Sequence, residues 1–292
     1  MSLEILKKYK IKPKKTLWQN FLVNDLIIEK IANIIEVTWK NIVEVWPWYW
    51  ALTEKLIAHK PKSLNLVELD KDMILILEDR IKNWNLNISN IDFKINNIDI
   101  LKYSPPARGE LEGGLELDDG YSVIANIPYY ITSPILRHFL YDVKNKPKNM
   151  VILMQKDVWD KIISWQIGWK KWKIKNSVLS LFVSKKSYVN EVIIVWKENF
   201  IPSPKVESSV LLFEIHDNFS NINDDVFLEI IKKWFAEPRK MLMKNLINSW
   251  YEKEYIKKLF IQLWIENTVR WEDLNIKQWC ELIWNINVKL IK

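Results

Sequence analysis

Between residues 25 and 154 the chain alternates short apolar runs with segments of helical apolar spacing, which restricts it to few folds. Residues 25–36 (DLIIEKIANIIE) carry helical spacing behind a capping Asn24 or Asp25. Residues 41–45 (NIVEV) read as a buried strand, 51–59 as a helix, 64–69 as a second strand and 73–81 as a helix. Further strands are expected over 91–95, 121–127 and 150–154, with helices over 133–141 and after 154. Residues 189–195 and 209–215 are two more strand candidates, separated by a proline-bearing loop. This alternation argues for an α/β fold, an open and largely parallel sheet with helices on both faces. Ligands in such sheets bind at the carboxyl ends of the strands, so the residues just after each strand carry the functional reading.

Strand patterns cease after about residue 217. Two domains are therefore expected, an α/β domain over 1–216 and a small helical domain over 217–292. The stretch 104–120 (SPPARGELEGGLELDDG) reads as a surface insertion between strands. The net charge is +7, with lysines at 7, 8, 10, 12, 14 and 15 and again at 170, 171, 173 and 175. Such blocks suit a polyanionic partner, though charge alone does not separate that from a solvated lysine surface. Cys280 is the only cysteine, and His59, His138 and His216 are scattered, so neither a disulfide framework nor a metal site is expected. No apolar run approaches a membrane span, and the expected location is the cytoplasm.

One compositional oddity bears on the strand ends: the chain has 17 Trp and 5 Gly. An ordinary chain is about 7% glycine, roughly 20 residues at this length. The tryptophans also stand where glycine chemistry belongs. Trp46-Pro47-Trp48-Tyr49-Trp50 lies between a strand and a helix, and Trp39-Lys40, Asn83-Trp84, Ser164-Trp165 and Ser249-Trp250 look like turns. The expectation is that most of these positions are glycine in the native chain, a UGA codon being read there as glycine. The abundance of Ile, Lys and Asn fits an AT-rich coding sequence.

With glycine at those places, Glu44 to Trp50 reads E-V-G-P-G-Y-G, a loop that lets backbone approach a ligand at the start of a helix. The second strand ends in Glu68-Leu69-Asp70, where an acidic side chain can accept from both ribose hydroxyls. Asp99 follows the third strand, placed to receive an adenine amino group. In this order the three features describe a nucleoside-bearing cofactor lying across the sheet. No Lys-Ser/Thr follows the loop, which argues against a P-loop nucleotidase. A nicotinamide cofactor would leave the fourth strand unexplained.

That strand ends in Asn126-Ile127-Pro128-Tyr129-Tyr130. An adenine amino nitrogen is a poor nucleophile because its lone pair is delocalised into the ring. The Asn126 side-chain carbonyl and the Ile127 main-chain carbonyl can each take one of its N–H groups and aim the lone pair at a methyl donor. Pro128 fixes the turn and cannot donate. Tyr129 offers a face for stacking on a base flipped out of its helix.

These residues extend into a resemblance. Leu17-Trp18-Gln19-Asn20-Phe21-Leu22 is similar to L-G-Q-N-F-L of the KsgA-type ribosomal RNA adenine dimethyltransferases, and the loop at 46–50, Glu68, Asp99 and 126–129 follow in that family's order. Phe200 to Ser208 resembles F-x-P-x-P-K-V-x-S, Phe235 to Leu242 resembles F-x-x-R-R-K-x-L, and Arg270 to Leu274 resembles R-x-E-x-L. The resemblance runs from about residue 10 to residue 285. It implies a Rossmann-like class I S-adenosylmethionine-dependent methyltransferase with a small C-terminal helical domain. By similarity, Asn20, Leu22, Trp46, Glu68, Asp99 and Asn126 should contact S-adenosylmethionine. Asn126 and Tyr129, with Ile127 and Pro128, would hold the adenine, and Phe200 could stack on its other face. Arg239 and Lys240 would help seat the enzyme on rRNA. The implied reaction is N6,N6-dimethylation of two adjacent adenosines in the 3′-terminal hairpin of 16S rRNA, on the immature 30S subunit, by a monomer. The competing readings are a resistance-type 23S rRNA adenine methyltransferase and a non-catalytic ribosome-assembly factor of the same fold. The chain departs from the family pattern at the tryptophans, at Pro238 where an arginine is common, and in the 104–120 insertion.

Overall fold

A computed structural model describes residues 7–11, 13–14, 19–48, 50–83, 88–105, 120–162, 176–235, 241–248 and 252–290. The described chain packs as two compact units, one of residues 1–159 with 188–215 and one of residues 160–187 with 216–292. Residues 160–187 thus group with the C-terminal helices, whereas strand patterning alone suggests a single break near 216.

In the first unit the elements are β1 (Phe21–Leu22), α1 (Asp25–Ala32), β2 (Asn41–Val45), α2 (Ala51–Ala58), β3 (Ser63–Glu68), α3 (Lys71–Asn83), β4 (Asp92–Asn97), β5 (Tyr121–Asn126), α4 (Thr132–Arg137) and β6 (Asn149–Gln155). The helix α5 (Lys156–Ile162) closes this run, and β7 (Ser187–Val195), β8 (Phe200–Ile201) and β9 (Ser208–Ile215) return to the sheet region. All five residues of β2 and all six of β3 are buried, as expected of apolar strands covered on both faces.

Seven strands form one sheet in the order β4-β3-β2-β5-β6-β9-β7. Strands β2 to β6 pair in parallel, and β9 runs antiparallel to β6. The chain leaves β2 towards β3 and β4 on one side, then resumes at β5 on the other. The β2/β5 boundary is therefore the topological switch point, with a crevice beyond its carboxyl ends. A separate two-stranded ribbon pairs β1 with β8, Phe21 opposite Ile201 and Leu22 opposite Phe200.

Two helices end differently from their apolar spacing, for local reasons. Asn24 is the cap of α1, its Oδ1 accepting from the N–H groups of Leu26 (3.0 Å) and Ile27 (3.3 Å). The helix stops at Ala32 rather than 36 because the Asn33 amide donates to the Glu29 carbonyl at 2.8 Å and competes with the ladder. The expected 133–141 helix splits into α4 and a wider π turn over His138–Asp142, where buried His138 meets the Tyr103 carbonyl at 2.9 Å.

The second unit holds α6 (Val178–Ser184), α7 (Asp224–Phe235), α8 (Leu242–Asn248), α9 (Lys253–Gln262) and α10 (Ile276–Leu290). A Ser177–Ser180 capping box starts α6. Buried Lys185 pairs with Asp224 and donates to the Ile222 carbonyl at 3.0 Å. The Arg270–Leu274 segment is anchored by Asn176, which donates to the carbonyls of Glu272 (2.9 Å) and Leu274 (2.6 Å). Trp279 is fully buried in α10, and its indole N–H donates to the Trp271 carbonyl at 3.2 Å.

Backbone handedness singles out the tryptophans. Seven non-glycine residues among those described have positive φ, and five are Trp39 (58°), Trp46 (56°), Trp48 (50°), Trp50 (85°) and Trp264 (54°). The turn expected at Trp39-Lys40 is present. Those at Trp84, Trp165 and Trp250 lie outside the described residues.

Candidate cofactor and base-binding site

Strand register brings the candidate residues to one edge. Val45 lies opposite both Val67 and Ala125, Glu68 opposite Asn97, and Asn126 opposite Leu153. Trp46, Glu68, Asp99 and Asn126 therefore follow neighbouring strands along the carboxyl edge of the sheet.

The loop after β2 is held by backbone bonds. The Trp46 N–H donates to the Val67 carbonyl (3.0 Å), and the Trp50 N–H to the Pro47 carbonyl (2.8 Å). Trp50 is the N-cap of α2 in left-handed conformation and makes no side-chain cap bond. Trp48 packs edge-on against Phe21 with ring centroids 5.0 Å apart. A pocket opens at the switch point, lined by Leu22, Glu44, Trp46, Trp48 and Asn126 among others.

Two buried carboxylates underlie this edge. Glu44 is fully buried within β2; Thr53 donates to its Oε2 at 2.7 Å and its Oε1 has no partner. Burial pushes its pKa up to about 8 against the opposing Thr53 bond. Glu68 takes the Asp70 N–H on Oε1 at 2.8 Å and leaves Oε2 unpartnered. Burial raises it to about 7, opposed by backbone N–H groups of Asp70, Leu69 and Trp48. An orphaned, buried carboxylate oxygen at a strand end is unstable without a donor, and ribose hydroxyls are donors of the right kind.

The N-terminal segment closes over the same strand end. Lys14 Nζ reaches Asp70 (2.6 Å) and Asp72 (2.5 Å), while Gln19 donates to Asp70 (3.2 Å) and accepts from the Lys14 N–H (2.9 Å). Asn20 follows, half-buried, and Leu22 reaches the pocket through the β1–β8 ribbon. Asp99 is half-buried and caps the turn Ile100–Lys102 through the Leu101 N–H at 3.0 Å.

At the end of β5 the Asn126 carboxamide makes no side-chain hydrogen bond among the described residues and faces the pocket. Ile127 and Pro128 are buried, and Tyr129 to Ile131 form one tight turn closed by the Ile131 N–H on the Pro128 carbonyl (3.2 Å). The Tyr129 hydroxyl lies 2.8 Å from Ser208 Oγ. Burial raises the hydroxyl's pKa, with the Ser208 bond opposing. Tyr130 is exposed. Phe200 is buried opposite Leu22, so the ribbon joins the 17–22 and 200–208 motifs at this site. Arg239, Lys240 and Trp18 lie outside the described residues. Glu44, Asp70 and Ser208 stand within the sequence motifs without these contacts being signalled, and Thr53 and Lys14 stand outside them. Only the burial of Glu44 was readable, from its place inside an apolar strand. Among the described residues no group of His, Cys, Asp and Glu could hold a metal, and no helix is long and apolar enough to cross a membrane.

An S-adenosyl group therefore meets a site that fits it in part. The orphan oxygen of Glu68 and the open carboxamide of Asn126 suit it. The loop does not, because the indole of Trp48 is packed into the edge and that of Trp46 lines the pocket where backbone should approach the ligand.

Comparison with known proteins gives a consistent result. The family model described as ribosomal RNA adenine dimethylase matches residues 10–287. The chain is 33% identical over 274 residues to ribosomal RNA small subunit methyltransferase A of Mycoplasma mobile, covering 94% of this chain and 98% of that one. It is 32% identical over 260 residues to the protein of the same name from Pelagibacter ubique, covering 87% and 90%. Among solved structures, a dimethyladenosine transferase from Plasmodium falciparum superposes with a TM-score of 0.73 at 20% identity, over 92% of this chain and 98% of that one. The 23S rRNA methyltransferase ErmE gives 0.67 at 18% identity, over 92% and 100%. At those identities the likeness is one of fold, a Rossmann-like sheet followed by helices.

Proposed function

The chain belongs to the ribosomal RNA adenine dimethylase family, and we propose on that footing that its substrate is a pair of adjacent adenosines in the 3′-terminal hairpin of 16S rRNA, presented on the immature 30S subunit. It is an rRNA adenine dimethyltransferase, and S-adenosylmethionine is its methyl donor. The observation that carries the reading is Asn126, an uncommitted carboxamide facing the pocket at the sheet's switch point, followed by a turn rigid enough to hold an acceptor in place.

The base grip follows from this chain's own groups. The Asn126 side-chain carbonyl and the Ile127 carbonyl accept the two amino N–H groups of adenine, which localises the nitrogen lone pair out of the ring. The Tyr129 ring stacks on the extruded base, with Ser208 fixing its tilt. Positioning of this kind, rather than acid–base chemistry, is what the site supplies. Asn20, Leu22, Glu68 and Asp99 would hold the cofactor, and Phe200 would back the base from the β1–β8 ribbon. Arg239 and Lys240 would contact rRNA.

The test is methyl transfer from S-adenosylmethionine to immature small subunits, with modified positions mapped on the RNA. N6,N6-dimethyladenine at two adjacent sites of 16S rRNA is the expected product. Methylation confined to large-subunit RNA would overturn the assignment, and no transfer by a chain that binds S-adenosylhomocysteine would favour an assembly role instead.

A further inference from the structure

We infer that the chain that binds the cofactor carries glycine, not the tryptophan of the written sequence, at positions 39, 46, 48, 50 and 264, and that Trp279 is a true tryptophan. The inference concerns the identity of residues in the site assigned above, and its main tests do not depend on that assignment.

One observation holds at all five positions, and two more fall on the loop at 46, 48 and 50. The first is backbone handedness: the five have φ between 50° and 85°, a region where a Cβ is penalised and glycine is the ordinary occupant. Composition-independent chance would not gather five of seven such positions on one bulky residue type. The second is polar satisfaction. The indole nitrogens of Trp48 and Trp50 are buried without a hydrogen-bond partner, which native interiors avoid. The third is the pocket. Trp46 and Trp48 line the pocket that Asn126 faces, and at the end of β3 Glu68 keeps a buried oxygen with no partner. With glycine at 46 and 48 the backbone itself would line that pocket, and glycine is also an acceptable N-cap at 50. Trp264 follows Leu263, the C-cap of α9, at the place where helices commonly end in a left-handed glycine.

Trp279 has the opposite character in each respect. It sits inside α10 with ordinary helical backbone, its side chain is fully buried, and its N–H is bonded to the Trp271 carbonyl. A glycine there would leave a void in the helical unit. Two kinds of position under one letter are what results when UGA is read as glycine at the source and as tryptophan in the written translation, while UGG means tryptophan in both.

The coding sequence gives the first test: UGA at codons 39, 46, 48, 50 and 264, and UGG at codon 279. UGG at the five left-handed positions overturns the inference, as does UGA at 279. Peptide masses from the protein of the native source give the second. Glycine at 46 and 48 with tryptophan at 279 is expected, and tryptophan at 46 and 48 overturns it. For the third, calorimetric titration with S-adenosylhomocysteine compares the written chain with one carrying W39G, W46G, W48G, W50G and W264G. The glycine chain is expected to bind at least about tenfold more tightly; equal affinity in a folded written chain overturns the inference. None of these readouts requires RNA, so failure of the 16S assignment and failure of the residue identities are distinguishable.

Discussion

Trp39 isolates the backbone effect from everything else. It is 67% exposed, so its indole contributes little packing, yet its φ is 58° and its N–H is tied to the Lys60 carbonyl at 3.1 Å. Truncation to alanine removes the indole and keeps the Cβ; truncation to glycine removes both. Relief of the left-handed Cβ clash is worth roughly 1–2 kcal/mol. Glycine returns about 0.5–1 kcal/mol of that through the extra freedom of its unfolded chain. Trp39→Gly should therefore be more stable than Trp39→Ala by about 0.5–1 kcal/mol, a difference in Tm of roughly 1–4 °C for a unit of this size. Trp196 is the control, since it is also exposed but has φ of −68°. There alanine should match or exceed glycine. Thermal unfolding followed by circular dichroism measures both pairs. If alanine equals or exceeds glycine at 39, the strain argument fails, and the case for glycine loses its physical footing.

Other consequences are open to measurement. Glu44 and Glu68 have folded pKa values of about 8 and about 7, above an unfolded value of 4.5. The folded form thus binds more protons between these limits, and Tm should fall as pH rises from about 5 to 8. Glu44→Gln should flatten that slope, and an unchanged slope would show that Glu44 does not titrate there. Asn126→Ala should lose most methyl transfer while S-adenosylhomocysteine still binds; full turnover would rule out its role in holding the base. Tyr129→Ala should weaken rRNA capture roughly 5- to 150-fold, the equivalent of about 1–3 kcal/mol of stacking, with cofactor affinity kept. Ser208→Ala should raise KM for rRNA about 2- to 12-fold, matching a net hydrogen bond of about 0.5–1.5 kcal/mol. The same substitution in a Tyr129→Phe background should add nothing, and additive losses would disprove the coupling. Buried Arg80 pairs with Glu54, and Arg80→Ala should cost about 3–5 kcal/mol by stranding that carboxylate; a Tm within two or so degrees of the parent would refute it.

The sheet was legible because its strands are continuous apolar runs. Residues 41–45 and 150–154 are apolar runs of strand length between turn residues, and their order against the helices implies the parallel core. The ends of those strands are legible for the same reason, and Glu68, Asp99 and Asn126 stand at or just beyond them. Elements of two residues carry no periodicity, so β1 and β8 were invisible, and with them the link between Leu22 and Phe200. The Tyr129–Ser208 bond spans 79 positions and has no local signature. Helix ends depended on single side chains, such as Asn33 turning back on Glu29, that average spacing does not register. The grouping of residues 160–187 with the C-terminal helices reflects contacts rather than pattern, and no composition shift marks it.

The β1–β8 ribbon has a consequence for synthesis. Its two strands are separated by about 180 residues, and at about 5–20 residues per second the ribosome needs on the order of 10–35 s to deliver the second after the first. Through that interval the Leu22 wall of the pocket lacks the strand that aligns it. The pocket's Leu22 wall is thus completed late in synthesis, when Phe200 has emerged to pair with it.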